Sequence, residues 1–144
     1  MIRVLFVCTG NTCRSPMAMA VFNNSAKERG LEYSAKSCGL FADGSPISYN
    51  SKRALSDAGI ELEHISTPVC EDLLREADYV FGITDKHAKS IISLFPEFTN
   101  KVYSFPLNVF DPYGGDISVY RECLNQIKTG VDSILKVLTE KENG

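Results

Sequence analysis

One short stretch, Cys8-Thr9-Gly10-Asn11-Thr12-Cys13-Arg14-Ser15, holds residue types suited to chemistry on an anion. The residues between Cys8 and Arg14 are all small, so the backbone is able to curl with its N–H groups inward and form an anion nest. Ser15-Pro16 reads as a helix opening, with Ser as a cap and Pro in the first turn. The positive end of that helix adds to the potential at the same spot. Arg14 can fork onto two oxygens of a phosphate. A thiol there is expected to be strongly acidified, because helix N-termini and neighbouring Arg favour thiolate, and Ser15 can donate a hydrogen bond to it. Cys8 would then be a nucleophile fused to an oxyanion cradle, which is what phosphate hydrolysis through a cysteinyl-phosphate needs. The stretch has one Gly and no Gly-Lys-Ser/Thr, so it is neither a dinucleotide fingerprint nor a nucleotide-binding loop. Read alone, Cys8 would be a buried core cysteine; Arg14 and Ser15 turn the reading toward chemistry.

The rest of the chain must position that loop. With 144 residues, 44% hydrophobic and 23% charged, residues 1–144 suffice for one globular domain with its own core. Lys plus Arg is 15 and Asp plus Glu is 18, a formal net charge of −3, which offers little to a nucleic-acid backbone or an anionic membrane. The longest uncharged stretch, residues 15–26, is too short for the roughly 20 apolar residues of a spanning helix. Residues 1–7 lack the apolar core of a secretory signal, so a cytoplasmic protein is expected. Five scattered cysteines (Cys8, Cys13, Cys38, Cys70 and Cys123) without a Cys-x-x-Cys pair argue against a structural zinc or a disulfide scaffold.

Residues 3–7 are mostly apolar with β-branched members, the pattern of a strand buried on both faces. A helix follows to Arg29 and stops at Gly30. Further strands are expected over 33–38, 78–84 and 101–105, and helices over 48–58, 69–76 and 85–94. Ile117, Tyr120, Leu124, Ile127, Val131, Ile134 and Leu138 recur at alternating steps of three and four, a long amphipathic helix. Alternating strands and helices imply an α/β fold with a parallel sheet and right-handed crossovers. Ligands in such folds sit beyond the carboxyl ends of the strands, which points at the loop after residue 7.

Residues 7–18, Val-Cys-Thr-Gly-Asn-Thr-Cys-Arg-Ser-Pro-Met-Ala, resemble the signature of the low-molecular-weight protein tyrosine phosphatases. The resemblance covers the whole chain, and Asp111-Pro112-Tyr113-Gly114 stands where that family has its late Asp-Pro acid loop. It implies a four-stranded parallel sheet flanked by helices, phosphorylated proteins as substrates, and a mechanism without metal or other cofactor. Cys8, Arg14 and Asp111 would be catalytic, and Thr9 through Ser15 would bind phosphate. Asp111 also makes chemical sense, since a basic leaving group needs a proton as it departs; the other reading of Asp111-Pro112 is a plain turn. Tyr113 would line the pocket wall or be an ordinary surface aromatic. By the resemblance, Asn11 holds the loop curled from a left-handed backbone position. His64 matches a supporting histidine. Met19 replaces the family's usual Glu, however, which removes the partner of that histidine and leaves a surface role as the alternative. His87 has no assigned role.

Thr12 stands where phosphotyrosine enzymes usually carry a branched apolar residue, and here the loop resembles the protein-arginine-phosphatase branch. A hydroxyl there suits the P–N group of phosphoarginine, whereas Ile would suit a phenyl ring. Phosphotyrosine is the alternative substrate. The arsenate reductases share a similar loop but need paired resolving cysteines, and Cys70 lacks a close partner in sequence. A non-catalytic phosphoprotein-binding module would normally have lost Cys8, Arg14 or Asp111. Finally, Cys8 and Cys13 flank one curled loop, so a reversible disulfide between them is expected to protect the nucleophile; the bland reading of Cys13 is a space-filler.

Overall fold

The apolar run at the N-terminus forms strand β1 (Ile2–Cys8), and its alternation decides the layering. Val4, Phe6 and Cys8 join one buried cluster, while Leu5 and Val7 join another on the opposite face. Two-sided burial of this kind is what a central parallel strand requires. The computed structural model describes residues 1–143. It places β1 between β2 (Tyr33–Gly39) and β3 (Tyr79–Gly82), with β4 (Val102–Ser104) beyond β3. All pairings are parallel, so the expected four-stranded sheet is present.

Helices α1 (Arg14–Glu28), α2 (Tyr49–Asp57) and α5 (Ile117–Asn143) supply the cluster around Phe6. Helices α3 (Glu71–Glu76) and α4 (Asp85–Leu94) supply the one around Leu5. The Phe6 ring meets Phe22, Phe81 and Phe105 at centroid distances of 5.9, 5.9 and 6.1 Å, which fastens the strand that carries Cys8. The stripe read from Tyr120 to Leu138 is the buried face of α5, joined there by Cys123, Gly130 and Leu135.

From β1 the chain goes first to β2 on one side and later to β3 on the other. The loop after Cys8 therefore opens at the point where strand order reverses, where α/β sheets bind ligands. Two glycines let other backbone approach this end of the sheet. A Cβ on Gly39 would stand 2.6 Å from the Thr9 carbonyl oxygen, and one on Gly82 would stand 2.3 Å from the Ala88 nitrogen. The first keeps β2 beneath the Cys8 loop; the second seats the first turn of α4 directly on β3.

Several local expectations need correction. Ser15 is not a cap: α1 already begins at Arg14, its N-cap is Cys13, and no side chain caps it. The Ser15 hydroxyl is drawn to the Cys8 thiol instead. Asp78 lies before β3 and accepts a hydrogen bond from the Arg3 amide at 2.8 Å. A 3-10 segment over Pro96–Lys101, opened by proline at its first turn, precedes a β4 shorter than expected.

Candidate active site

Cys8 is 3% exposed, at the base of a loop whose carbonyls are mostly bonded to neighbouring segments. The carbonyls of Cys8, Thr9 and Thr12 accept from the amides of Leu40, Phe41 and Ser48 at 3.0, 2.9 and 2.9 Å. With these carbonyls held from outside, the Asn11 and Ser15 amides face the Cys8 sulfur, in the manner of an anion nest. The Asn11 amide donates to Cys8 Sγ at 3.3 Å.

Asn11 is the only non-glycine residue with positive φ among the described residues, at 59°, as the left-handed expectation requires. Its buried side chain has a partner in every direction. Nδ2 donates to Ser15 Oγ at 2.8 Å and to Ser37 Oγ at 3.0 Å, while Oδ1 accepts from the Thr67 amide at 2.9 Å. His64 Nε2 lies 3.0 Å from that same Oδ1 and 3.2 Å from the Asn11 carbonyl oxygen. His64 thus joins the loop network through Asn11, without the carboxylate that Met19 replaces; Met19 Sδ instead accepts from Ser37 Oγ at 3.5 Å. Because Ser15 Oγ accepts from Asn11, its own proton goes to Cys8 Sγ, 2.8 Å away, or to the more distant Cys38 carbonyl at 3.5 Å.

Burial pushes the Cys8 thiol above its ordinary value, against the hydrogen bonds from Ser15 and Asn11 and the charge of Arg14, all of which pull it down. Burial thus opposes the acidification read from the sequence, whose contributors, Ser15, the Asn11 amide and Arg14, are all in place. Burial also lowers His64, partly opposed by its bond to the Asn11 backbone.

A pocket of about 240 Å³ is lined by Cys8 through Arg14 together with Asp111 and Tyr113. The catalytic, phosphate-binding and specificity residues read from the sequence are thus gathered at one place, except Ser15, which bonds to the thiol without lining the pocket, while His64 reaches the loop through Asn11. Arg14 is 8% exposed; its Nη1 donates to the Val109 carbonyl at 3.2 Å, and its Nη2 lies 3.9 Å from Asp111 Oδ2. The Asp111 carboxylate is exposed at the mouth. Its Oδ1 accepts from the Tyr113 amide at 3.1 Å, so Asp111 is both the turn residue and the carboxylate facing the pocket. Tyr113 is 82% exposed, a mouth residue in contact mainly with solvent. Cys13 Sγ points to Ser48 Oγ at 3.5 Å and Tyr120 OH at 3.6 Å, whereas Cys8 Sγ points to Ser15.

His87 is the site residue that sequence reasoning missed. Its ring reaches Thr9 Oγ1, in the heart of the loop, at 2.9 Å. Thr84-x-x-His87 at a strand-to-helix junction has capping-box spacing, a signal that would have placed the ring at the end of β3. Among the described residues no helix is long and apolar enough to cross a membrane.

The family model described as low molecular weight phosphotyrosine protein phosphatase matches residues 3–143. The protein-arginine-phosphatase of Bacillus subtilis (strain 168) is 35% identical over 143 residues, spanning 94% of this chain and 95% of its own. The solved structure of YwlE arginine phosphatase from Geobacillus stearothermophilus superposes with a TM-score of 0.92 at 35% identity, over 99% of this chain and 96% of that one. A YwlE arginine phosphatase solved as a cysteine-to-serine mutant with a phosphorylated active-site serine is 34% identical, with a TM-score of 0.91 over 96% of each chain. Matched in this way from its first strand to its last helix, the chain belongs to the low molecular weight phosphotyrosine protein phosphatase family and is a cysteine-dependent protein phosphatase.

Proposed function

We propose that the protein hydrolyses phosphoarginine on proteins, with Cys8 as nucleophile, Arg14 as phosphoryl clamp and Asp111 as general acid and base. The observation that carries this is the Cys8 thiol held at 2.8 Å from Ser15 Oγ and 3.3 Å from the Asn11 amide, inside a pocket walled by Arg14 and Asp111. The phosphoryl group sits in the loop from Thr9 to Ser15, with Arg14 forking onto two of its oxygens. Once the thiol has given up its proton to solvent, Cys8 sulfur attacks phosphorus and the P–N bond to the guanidine breaks. Asp111 delivers the proton that the departing nitrogen needs. The same carboxylate then takes a proton from water, which attacks the thiophosphate and frees inorganic phosphate. Ser15, donating to sulfur, favours the thiolate both before attack and as it leaves.

Two observations support phosphoarginine. Relatives 35% identical over nearly the whole chain bear the name protein-arginine-phosphatase, and Thr12 offers a hydroxyl at the pocket wall. Phosphotyrosine is the second reading, favoured by the exposed Tyr113 at the mouth, which could stack on a phenyl ring. The deciding measurement is kcat/KM on a phosphoarginine peptide beside a phosphotyrosine peptide. Wild type should prefer the first, and Thr12→Ile should shift the ratio toward the second by about tenfold, the usual scale of a single-position change. A wild-type preference for phosphotyrosine overturns the assignment.

The Cys8–Cys13 redox pair belongs to the same proposal. Peroxide would oxidise the Cys8 sulfur to sulfenic acid, and the Cys13 thiol would displace water from it to form the disulfide. Cys13 must first turn from Ser48 and Tyr120. After peroxide and then dithiothreitol, wild type should recover activity and Cys13→Ser much less; equal recovery removes Cys13 from this role. A cytoplasmic setting, with neither nucleic acid nor membrane as partner, fits a net charge of −3 and five free thiols.

A further inference from the structure

His87 lies outside the loop that carries the proposed chemistry, yet it is 6% exposed and both its ring nitrogens are bonded, Nδ1 to Thr84 at the start of α4 and Nε2 to Thr9 in that loop. The Thr84 amide donates to Nδ1 at 3.2 Å, and an N–H can only donate, so Nδ1 carries no proton. Thr84 Oγ1, at 3.0 Å from Nδ1 and accepting from the His87 amide at 3.3 Å, completes the cap of α4. The proton of the neutral ring must then sit on Nε2 and be donated to Thr9 Oγ1, 2.9 Å away. Burial and the charge of Arg14 hold His87 down at about 4, so the ring is neutral at ordinary pH. With one lone pair of Thr9 Oγ1 occupied by His87, the hydroxyl proton of Thr9 has no other partner among the described residues. Thr9 lines the same pocket as Cys8 and Arg14.

We propose that His87 is a positioning residue that locks the Thr9 side chain with its O–H as an added donor to the phosphoryl group. This rests on the reading of the Cys8 loop as the phosphoryl site. The direction of each bond follows from the one before it: a backbone amide sets the ring tautomer, the tautomer makes Nε2 a donor, and that donor leaves the hydroxyl's proton free for another acceptor. Donor polarity is what an anion at this place calls for, and a hydrogen bond to a charged group is worth enough to be measured.

The test compares inorganic phosphate as a competitive inhibitor, together with kcat and KM, in wild type and four variants. Thr9→Val removes the donor. His87→Asn keeps an acceptor for the Thr84 amide but cannot reach Thr9, and His87→Gln restores a donor at the reach of Nε2. Thr9→Val and His87→Asn should each weaken phosphate inhibition by about tenfold. The double variant Thr9→Val with His87→Asn should be no weaker than either single, because both act through one bond. His87→Gln should bring phosphate inhibition back to within about threefold of wild type. Unchanged inhibition in His87→Asn, or losses that multiply in the double variant, would overturn the proposal. Failure of the underlying reading looks different: Cys8→Ser would turn over substrate, and phosphate would not inhibit wild type.

Discussion

The two loops that meet at the pocket are built in opposite ways. In the Cys8 loop, Asn11 is fully buried, its side chain binds Ser15, Ser37, Thr67 and His64, and its backbone pays for a left-handed φ of 59°. The Asp111 loop keeps its carboxylate 60% exposed, held by one bond from the Tyr113 amide and a 3.9 Å approach to Arg14. The difference matches the two tasks proposed for these loops. A cradle for a phosphoryl group must hold its donors in place ahead of the reaction, since reorganising them would add to the barrier. An acid that first gives a proton to a leaving group and then takes one from water must stay hydrated and accessible. Hydrogen bonds are concentrated on the Cys8 loop and sparse on the Asp111 loop, in keeping with the roles proposed for them.

Substitutions on each side sharpen that contrast. The largest effect is expected for Cys8→Ser, which should lower turnover of para-nitrophenyl phosphate by roughly a thousandfold or more while the protein stays folded. Substantial turnover in that variant would break the assignment of the buried loop to the chemistry. Next comes Asp111→Asn. It should cost about a hundredfold on phenyl phosphate and much less on para-nitrophenyl phosphate, whose leaving group needs no proton. Its urea midpoint should barely move, because the carboxylate is exposed; equal losses on both substrates would reduce Asp111 to a turn residue. The smallest effect on rate is expected for Asn11→Ala, about tenfold, but it should be the least stable of the three. Losing a buried hub leaves the Thr67 amide unpaired and puts Ala at a positive φ, for a cost of about 2–4 kcal/mol in urea unfolding. If Asn11→Ala and Asp111→Asn prove equally stable, the contrast in rigidity is wrong.

Much of this arrangement is legible in the order of the residues. The near-continuous apolar run in residues 3–7 signals a strand buried on both faces, and Leu5 and Val7 do pack opposite Val4 and Phe6. The spacing from Ile117 to Leu138 signals α5, and the small residues between Cys8 and Arg14 signal a curled loop, which walls the pocket. Ser15 reads wrongly as a cap because local patterns treat a serine ahead of a proline as a helix opener. The competing partner, the Cys8 sulfur, is seven positions back along the chain but 2.8 Å away in space. The 3-10 segment at Pro96–Lys101 leaves no such signal, because it has no apolar period to announce it.

By itself, the sequence determined the residue types, the strand–loop–helix that carries Cys8 and Arg14, and the order of elements. These depend on interactions within a few residues, which leave a periodic or spaced signal. Tertiary structure alone decided the rest. It brought His64, Thr67 and His87 to the loop across separations of 53, 56 and 78 residues. It also set Gly39 under the Thr9 carbonyl, and it raised the Cys8 thiol by burying it. Hydrogen-bond direction and desolvation depend on what the folded chain places around a group, and no local spacing records that.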